Sequence, residues 1–162
     1  MAFVSIRQLQ EVSSLDIEVR LATAQERTAL EQFYAREGHN FQQLTAQAVC
    51  TPLGTTRESM YIVAVSNDIV LAALKLDIGN DPKIGRVGFI QHFEIEDELE
   101  RTDLGKRMIE KIIQIADDKN LSAVDTLFDV SKSDMITLYS ESGFEEQRKE
   151  IYLRKKFKSR VF

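Results

Sequence analysis

The stretch GRVGFIQHFEIEDELERTDLGKRMIEKIIQIA, residues 85–116, decides the fold. Its first part, residues 85–95, has the composition of a strand, and an acidic loop follows. The last part is an amphipathic helix, because six apolar side chains recur at helical spacing: Leu104, Met108, Ile109, Ile112, Ile113 and Ala116. A strand that runs into a helix through a short loop predicts an α/β domain.

The sequence before this stretch predicts antiparallel strands. Three further strands are indicated, over residues 15–20, 60–65 and 69–76. Turns are expected at Asn67-Asp68 and at residues 79–82. Thr23 and Glu26 have the spacing of a capping box, so a helix should begin there and end near Gly38. A second, short helix is expected between residues 41 and 49, before the stop at residues 51–54.

The sequence after the long helix, which should end by Asn120, predicts the rest of a crossover. An apolar strand is expected over residues 124–130, a short helix over 134–141 closed by Gly143, and a last strand over 150–157. The fold class is therefore α/β, with a central mixed antiparallel and parallel sheet flanked by helices. Residues 1–162 read as a single domain, in which residues 1–14 form an extension without clear periodicity.

Composition narrows the classes of partner. The 162 residues carry a net charge of −5, which disfavours nucleic acid and mildly favours a cationic acceptor. Cys50 is the single cysteine, so no internal disulfide forms, and with two histidines no standard structural zinc site is expected. The sequence has neither a signal-like start nor an apolar run of about 18 residues, which predicts a cytoplasmic protein without a membrane partner. The basic cluster near residue 155 reads as a solvated strand end.

The start of the long helix is the point where chemistry is expected. Helix N-termini present unpaired N–H groups and a partial positive charge, and Gly105 would let a ligand's phosphates approach the backbone. The segment 101–106 is therefore a candidate pyrophosphate cradle. Every strand–helix unit has such a terminus, so this feature alone does not identify a ligand.

Two motifs resemble those of the GNAT (GCN5-related) N-acetyltransferase superfamily. The loop from Ile95 to Gly105 is similar to motif A, and LYSESGF, residues 138–144, is similar to motif B. The segment IEVRLAT, residues 17–23, resembles the family's first strand, so the likeness extends over about residues 15–157. It implies a GNAT-like acyl-CoA N-acyltransferase fold, acetyl-CoA as co-substrate without a metal, and a small-molecule or peptide amine as acceptor.

The resemblance also implies a set of cofactor-binding positions. These are Phe93, Ile95, Arg101, Thr102, Asp103, Leu104, Gly105, Lys106 and Lys132. The chain departs from the family at Glu100, where Gln or Arg is usual, at Asp103, where the first motif glycine stands, and at Lys132, where Asn is usual. The Asp103 carboxylate can occupy helix amides and repel phosphates, whereas Arg101, Lys106 and Arg107 add positive charge.

The resemblance makes Tyr139 the candidate general acid that protonates the departing thiolate. A phenol with a pKa of about 10 is protonated at neutral pH and can donate; the alternative is a core aromatic. The family's base positions fall on Phe89 and Gln91, and neither is a base. Regular alternation places His92 and Glu94 on the other face, unless a β-bulge redirects them. A water chain to another carboxylate is the alternative.

The sequence therefore predicts an N-acetyltransferase in which an acceptor amine attacks the thioester directly. A backbone N–H near residues 93–95 would stabilise the developing oxyanion. The alternative is a GNAT-like module with weak or no activity that binds an acyl-CoA or a protein partner. Family likeness places the acceptor pocket in residues 34–58, where His39 is a further candidate, and in residues 145–157. The sequence does not determine the oligomeric state, and a homodimer is compatible with it because dimers are common among soluble proteins.

Overall fold

A five-stranded sheet organises the chain. The computed structural model describes residues 16–46, 56–100 and 102–158. Its strands are β1 (Glu18–Leu21), β2 (Thr56–Ser66), β3 (Ile69–Asp81), β4 (Gly85–Ile95) and β5 (Ala123–Thr126). They lie side by side in this order, antiparallel up to β4, and β5 pairs with β4 in parallel. The mixed sheet predicted from the sequence is confirmed.

Within the described residues, four α-helices cover the two faces of the sheet. They are α1 (Arg27–Arg36), α2 (Phe41–Ala46), α3 (Leu104–Asp118) and α4 (Ser133–Glu141). Helices α1 and α2 pack on one face through Leu30, Phe33 and Leu44, against Val63 and Ala73 of the sheet. No helix within the described ranges has the length and apolar character needed to span a membrane.

Local sequence signals set several element ends as predicted. Glu26 accepts a 2.6 Å hydrogen bond from the backbone N–H of Thr23, so the capping box forms. Asn67 and Asp68 both have positive φ, at 49° and 63°, as a tight two-residue hairpin turn requires. Gly143 closes α4 with a φ of +91°.

Helix α3 forms the main core with the other face of the sheet. Leu104, Met108, Ile109 and Ile112 are buried there, with Ile115 beside them. The prediction that Ile113 belongs to this stripe is wrong, since 43% of it is exposed. At about 100° per residue, Ile115 lies beside Met108 and Ile112, whereas Ile113 turns toward the rim.

The turn predicted at residues 79–82 lies farther along the chain. Strand β3 continues to Asp81, and the turn occupies residues 82–84. The Asp81 carboxylate accepts hydrogen bonds from the N–H groups of Lys83 (2.7 Å) and Ile84 (3.3 Å). This side-chain contact, rather than Gly79, sets the position of the turn.

Two predicted strands differ in the structure. The strand expected over residues 124–130 is only the four-residue β5, and residues 150–157 form no regular element. A strand needs a hydrogen-bonded neighbour. Among the described residues, neither residues 127–130 nor residues 150–157 pair with another strand. The predicted extension at residues 1–14, the stop at residues 51–54, Cys50 and Arg101 lie outside the described residues.

Candidate active site at the β4 bulge

Strand β4 contains a β-bulge at His92 and Phe93. Gln91 pairs with Lys75 and Glu94 pairs with Ala73, so two residues of β4 oppose the single residue Leu74. His92 has a φ of +52°, in the left-handed region. The bulge reverses the alternation, so Glu94 lies on the face of Gln91 and Ile95 on the face of Ile90. The face assignment from regular alternation is therefore wrong beyond Gln91.

The bulge turns His92 and Glu94 toward α1. The Tyr34 hydroxyl donates to the carbonyl oxygen of His92 at 2.8 Å, and Tyr34 is fully buried. Nε2 of His39, just after α1, lies 3.0 Å from Oε1 of Glu94. The His39 and His92 rings are 6.1 Å apart between centroids. Two imidazoles and one carboxylate therefore meet on this face.

Two buried polar atoms in this region have no partner within the described part of the chain. They are Nε2 of His92 and the hydroxyl of Tyr61. Burial, followed by the charges of His39 and Lys75, lowers the pKa of His92, so its neutral form prevails at neutral pH. A neutral imidazole can accept a proton, and unpartnered buried polar atoms are typical of a surface that a ligand completes.

Carboxylates crowd around the same end of α1. Burial, with the charges of Glu96 and Glu94, raises the pKa of Glu37 to about 7. Arg36 neutralises part of this charge, since its guanidinium binds Glu96 at 3.0 Å. The negative potential at this side of β4 favours a cationic group in the space that His39 and Glu94 border.

A buried polar cluster lies farther along the same face. Asp77 accepts hydrogen bonds from the Gln91 amide and the Ser59 hydroxyl, each at 2.5 Å, and Lys75 lies 3.5 Å from it. Gln91 is thus a structural donor, as its lack of basicity suggested. The sequence interpretation missed this cluster, although Lys75 and Asp77 alternate with leucines in β3 and period 2 indicates that they share a face.

Tyr139 lies on the opposite side of β4. Its ring stacks on Phe128 at 5.4 Å between centroids and contacts the rings of Phe144 (5.0 Å) and Phe93 (6.4 Å). Burial raises the pKa of Tyr139 well above its usual range, and a hydrogen bond with Thr126 opposes this shift. The Tyr139 side chain is therefore buried among aromatic rings, and its hydroxyl stays protonated at every physiological pH.

Between these two sides, β4 and β5 separate. The parallel pairing covers Val87 to Ile90 of β4 and Ala123 to Thr126 of β5, and then stops. The Thr126 hydroxyl donates to the Ile90 carbonyl at 3.2 Å, at the last pair. Residues 91–95 continue without β5 beside them, so the bulge stands at a gap in the sheet. His92 faces one side of this gap and Phe93, against Tyr139, faces the other.

The N-terminus of α3 lies close to this gap and has unpaired amides. Its first intrahelical hydrogen bond runs from the N–H of Arg107 to the carbonyl of Asp103 at 3.0 Å. The N–H groups of Gly105 and Lys106 therefore have no acceptor within the helix itself. The Thr102 hydroxyl accepts a 3.3 Å hydrogen bond from Leu104. The Asp103 side chain makes no capping hydrogen bond and is exposed, so it does not occupy the amides.

The other predicted cofactor positions are placed as follows. Ile95 is buried beside α3, Lys106 is exposed in the first turn, and Lys132 is exposed as the residue before α4. Arg107, expected to add local positive charge, donates to the carbonyl of Ile17 at 2.6 Å. Ile95, Lys106 and Arg107 thus lie with Thr102 to Gly105 around the N-terminus of α3. Lys132 lies at the N-terminus of a different helix, α4.

Gly105 has a packing role that the sequence did not indicate. A Cβ at this position would stand 2.9 Å from Leu138 Cδ2 and 3.3 Å from Ile95 Cδ1. The absence of a side chain at Gly105 therefore lets α3 approach both α4 and the end of β4. This close packing is sufficient to explain why the residue is a glycine.

We expect Gly105→Ala to destabilise the protein by about 1–3 kcal/mol, because the added methyl group overpacks a buried contact. The melting temperature would fall by a few degrees, at about 2–4 °C per kcal/mol for a chain of this size. Thermal unfolding measures it, with Lys106→Ala as the exposed control in the same turn. An unchanged melting temperature would show that Leu138 moves aside freely.

Comparisons with known proteins support the fold. No protein-family model and no curated protein sequence matches the chain. Among solved structures, a ribosomal-protein-alanine N-acetyltransferase from Brucella melitensis biovar Abortus is similar, with a TM-score of 0.67, 14% identity, and coverage of 86% of this chain and 99% of that chain. An acetyltransferase from Trypanosoma brucei gives 0.66 and 14%, covering 86% and 100%.

An aminoglycoside N-acetyltransferase in complex with CoA gives a TM-score of 0.65 at 13% identity, covering 86% of this chain and 99% of that chain. These likenesses extend over nearly the whole length of each neighbour. The GNAT-like fold that motifs A and B predicted is therefore confirmed.

Proposed function

We propose that this chain, which has the fold of the GNAT acetyltransferases, transfers an acetyl group from acetyl-CoA to an amine. One observation carries the proposal. The bulge at His92 and Phe93 brings proton-accepting groups to one side of the gap between β4 and β5, and a protonated phenol, Tyr139, to the other. A positioned proton acceptor for the amine and a positioned proton donor for the thiolate both accelerate acyl transfer from a thioester to an amine.

The residues at α3 fit the pyrophosphate of such a donor. The N–H groups of Gly105 and Lys106 have no intrahelical acceptor, and the helix adds a partial positive charge. The exposed Lys106 ammonium supplies a full charge beside them. The neighbouring edge of β4, residues 91–95, is without β5, which leaves room for a chain that runs from α3 toward the bulge.

In the proposed reaction, the acceptor amine approaches from the side of α1. Glu94, held by His39 at 3.0 Å, accepts a proton from the ammonium, and the freed nitrogen attacks the thioester carbon. A backbone N–H within residues 93–95 stabilises the oxyanion. The C–N bond forms, the C–S bond breaks, and the sulfur leaves with the bonding electron pair. Tyr139 then donates its proton to the thiolate. The second proton of the attacking nitrogen is released to water as the amide forms, and water returns a proton to Tyr139.

The electrostatics favour a cationic acceptor. Three carboxylates stand close enough to Glu37 to raise its pKa, in addition to the effect of burial: Glu96, Glu94 and Asp97. Aminoglycoside and ribosomal-protein-alanine acetyltransferases are among the similar structures, which supports an amine on a small molecule or a peptide. We infer an acceptor that is protonated in solution and loses its proton to Glu94. The cytoplasmic location expected from the sequence stays a prediction.

The direct test is release of free thiol from acetyl-CoA in the presence of a panel of amines. We expect thiol release that depends on both the amine and the enzyme, with acetylated amine in equal amount by mass spectrometry. Binding of acetyl-CoA without turnover of any aminoglycoside, polyamine or N-terminal peptide would favour the alternative, an acyl-CoA-binding module. The departures at Glu100 and Asp103 from the family pattern motivate that alternative.

Asp103→Asn tests whether the Asp103 carboxylate weakens the binding of phosphates at the N-terminus of α3. The carboxylate is exposed beside the helix amides and makes no capping hydrogen bond, so its main effect on a bound pyrophosphate is repulsion. We expect the variant to bind acetyl-CoA about two- to fivefold more tightly at low salt, as for one charge near a helix terminus, with less gain at high salt. Isothermal titration calorimetry measures this, with Asp118→Asn at the other end of α3 as control. Weaker binding by Asp103→Asn would mean that the carboxylate contributes to the site.

A further inference from the structure

A row of polar side chains crosses the middle of the sheet on the face that α1 and α2 cover. Tyr61 of β2 pairs with Lys75 of β3, and Lys75 pairs with Gln91 of β4. Asp77 lies on the same face as Lys75, because alternate residues of a strand point the same way. Lys75, Asp77 and Gln91 are 6%, 2% and 8% exposed. Charged residues are rarely buried so completely unless they are paired, so the partners of each group decide what the row can do.

The hydrogen bonds of this row satisfy Asp77 better than Lys75. Asp77 accepts 2.5 Å hydrogen bonds from Gln91 and from Ser59, so each of its two oxygens has a neutral donor. The Lys75 ammonium has three N–H groups and, within the described residues, two long contacts of 3.5 Å, to Asp77 and to the carbonyl oxygen of Leu44. A contact of this length is weak. Lys75 therefore keeps the capacity to donate to a further oxygen.

The Tyr61 hydroxyl is a second unused donor. It is buried and has no hydrogen-bond partner in the part of the chain that the structure describes. Burial, followed by the charge of Asp77, raises the pKa of Tyr61 to about 12, so the hydroxyl keeps its proton. The ring is held by Phe41 at 5.5 Å and by Tyr34 at 6.1 Å between centroids. A buried donor that the folded chain leaves unpaired costs free energy, which a ligand oxygen would recover.

The imidazole of His92 lies at the other end of the row, directly after Gln91. Its Nε2 is buried and has no partner among the described residues. Burial and the charge of His39 lower the pKa of His92, and Lys75 and Asp77 also act on it, so the ring lies close to the row. Three groups with unused hydrogen-bonding capacity therefore lie near one another on this face: the Lys75 ammonium, the Tyr61 hydroxyl and Nε2 of His92.

The carboxylate of the candidate active site lies one step along the sheet from this row. Glu94 pairs with Ala73, two residues before Lys75, and two residues of a strand span about 7 Å. The side chains of His39 and Glu94 are 32% and 25% exposed, so a ligand can enter beside them. The face therefore offers a negative charge at its mouth and unused donors deeper in, at a spacing that one small molecule can bridge.

We propose that the acceptor carries a carboxylate besides the reacting amine, so that the chain acetylates a free amino acid. The ammonium lies against Glu94, and the carboxylate accepts hydrogen bonds from Tyr61 and Lys75, which are strong because they involve charged groups. An amine without the carboxylate leaves these buried donors unpaired, and this discriminates against it. The inference rests on the proposed acetyl transfer, whose bond changes and proton transfers it keeps, and it names the class of acceptor.

Matched sets of substrates test the carboxylate. The kcat/KM for thiol release from acetyl-CoA is measured for each standard amino acid, for its carboxamide, and for the amine that remains when the carboxylate is removed. We expect the best amino acid to exceed its matched amine by about 10- to 100-fold, as for hydrogen bonds to a charged group. Equal values for acid and amine overturn this inference and leave acetyl transfer standing. A carboxamide as good as the acid also overturns it and indicates a peptide N-terminus. Absence of turnover with every amine overturns acetyl transfer as well, so the two failures are distinguishable.

Tyr61→Phe tests the same site from the side of the protein. The variant removes the unpartnered hydroxyl and keeps the ring contacts with Phe41 and Tyr34. We expect the KM for the best amino acid to rise about tenfold and that for its matched amine to stay the same. The melting temperature of the free protein should stay unchanged or rise, because no hydrogen bond is lost. Tyr152→Phe, at an exposed position after α4, is the control and should change none of these values. An unchanged KM for the amino acid, or equal losses for acid and amine, contradicts the proposal. A lower melting temperature does so too, since the hydroxyl would then already have a partner in the fold.

Discussion

Replacing Glu94 by glutamine should lower kcat by about 10²- to 10³-fold, with little change in the affinity for acetyl-CoA. A positioned proton acceptor typically contributes 10²- to 10⁴-fold, and the glutamine amide cannot take the proton of the acceptor ammonium. The β4 bulge is the reason for choosing this residue, since it turns Glu94 to the face of His39, 3.0 Å away. The defect should shrink as the pH rises toward the pKa of the amine, because solution then supplies the free amine.

The matched control is Glu98→Gln, an exposed carboxylate in the turn that follows β4. It should leave kcat unchanged, since its charge lies outside the gap between β4 and β5. Steady-state kinetics from pH 6 to pH 10 compare the two variants. Full activity of Glu94→Gln together with a large loss in His92→Asn would move the base to His92, whose buried Nε2 has no hydrogen-bond partner among the described residues.

Tyr139→Phe should lower kcat about 100-fold or more while the protein stays folded. The variant removes the hydroxyl that would protonate the thiolate and keeps the ring contacts with Phe128 and Phe144. The stability cost should be near 1 kcal/mol, as for one lost hydrogen bond. Kinetics and thermal unfolding, measured together, separate the two effects.

The leaving group provides a sharper test of Tyr139. An acetyl thioester of an acidic aromatic thiol needs no protonation on departure, so the Tyr139→Phe defect should nearly vanish with it. Tyr152→Phe, at an exposed position after α4, serves as the tyrosine control and should behave as wild type. Equal turnover of wild type and Tyr139→Phe with acetyl-CoA would remove Tyr139 from the mechanism and leave it a core residue.

The sequence predicts those elements whose signals are local. Strand β4 was predicted with its observed ends, the hairpin turn at Asn67 and Asp68 formed as expected, and α3 ends before Asn120, whose φ is +55°. The capping box at Thr23 formed too. In each case the residues that decide the outcome are neighbours in the chain.

The bulge in β4 could not be predicted from β4 alone. It exists because His92 and Phe93 both oppose Leu74, a residue of another strand, and because Tyr34 of α1 holds the carbonyl of His92. Periodicity therefore assigned Glu94 to the wrong face. Gly105 is similar, since its packing against Leu138 depends on α4. The geometry of the candidate site depends on contacts between residues that are distant in the sequence. The alternation of residues within one strand carries no information about such contacts.

The strands predicted around residues 127 and 153 illustrate a different limit. Alternation identifies a segment with the residues of a strand, but pairing decides whether one forms. Here β5 ends at Thr126, and residues 150–157 pair with no strand in the part of the chain that the structure describes.

The most direct test of the account is thermal unfolding with acetyl-CoA in large excess, at a fixed protein concentration. Ligand at about 100 times its dissociation constant adds about 2.7 kcal/mol to the stability of the folded state. For a chain of this size, the account predicts a rise of about 5–10 °C in the melting temperature. No rise at millimolar acetyl-CoA would contradict it, because the amides of α3 and the gap beside β4 would then not form a site for the donor.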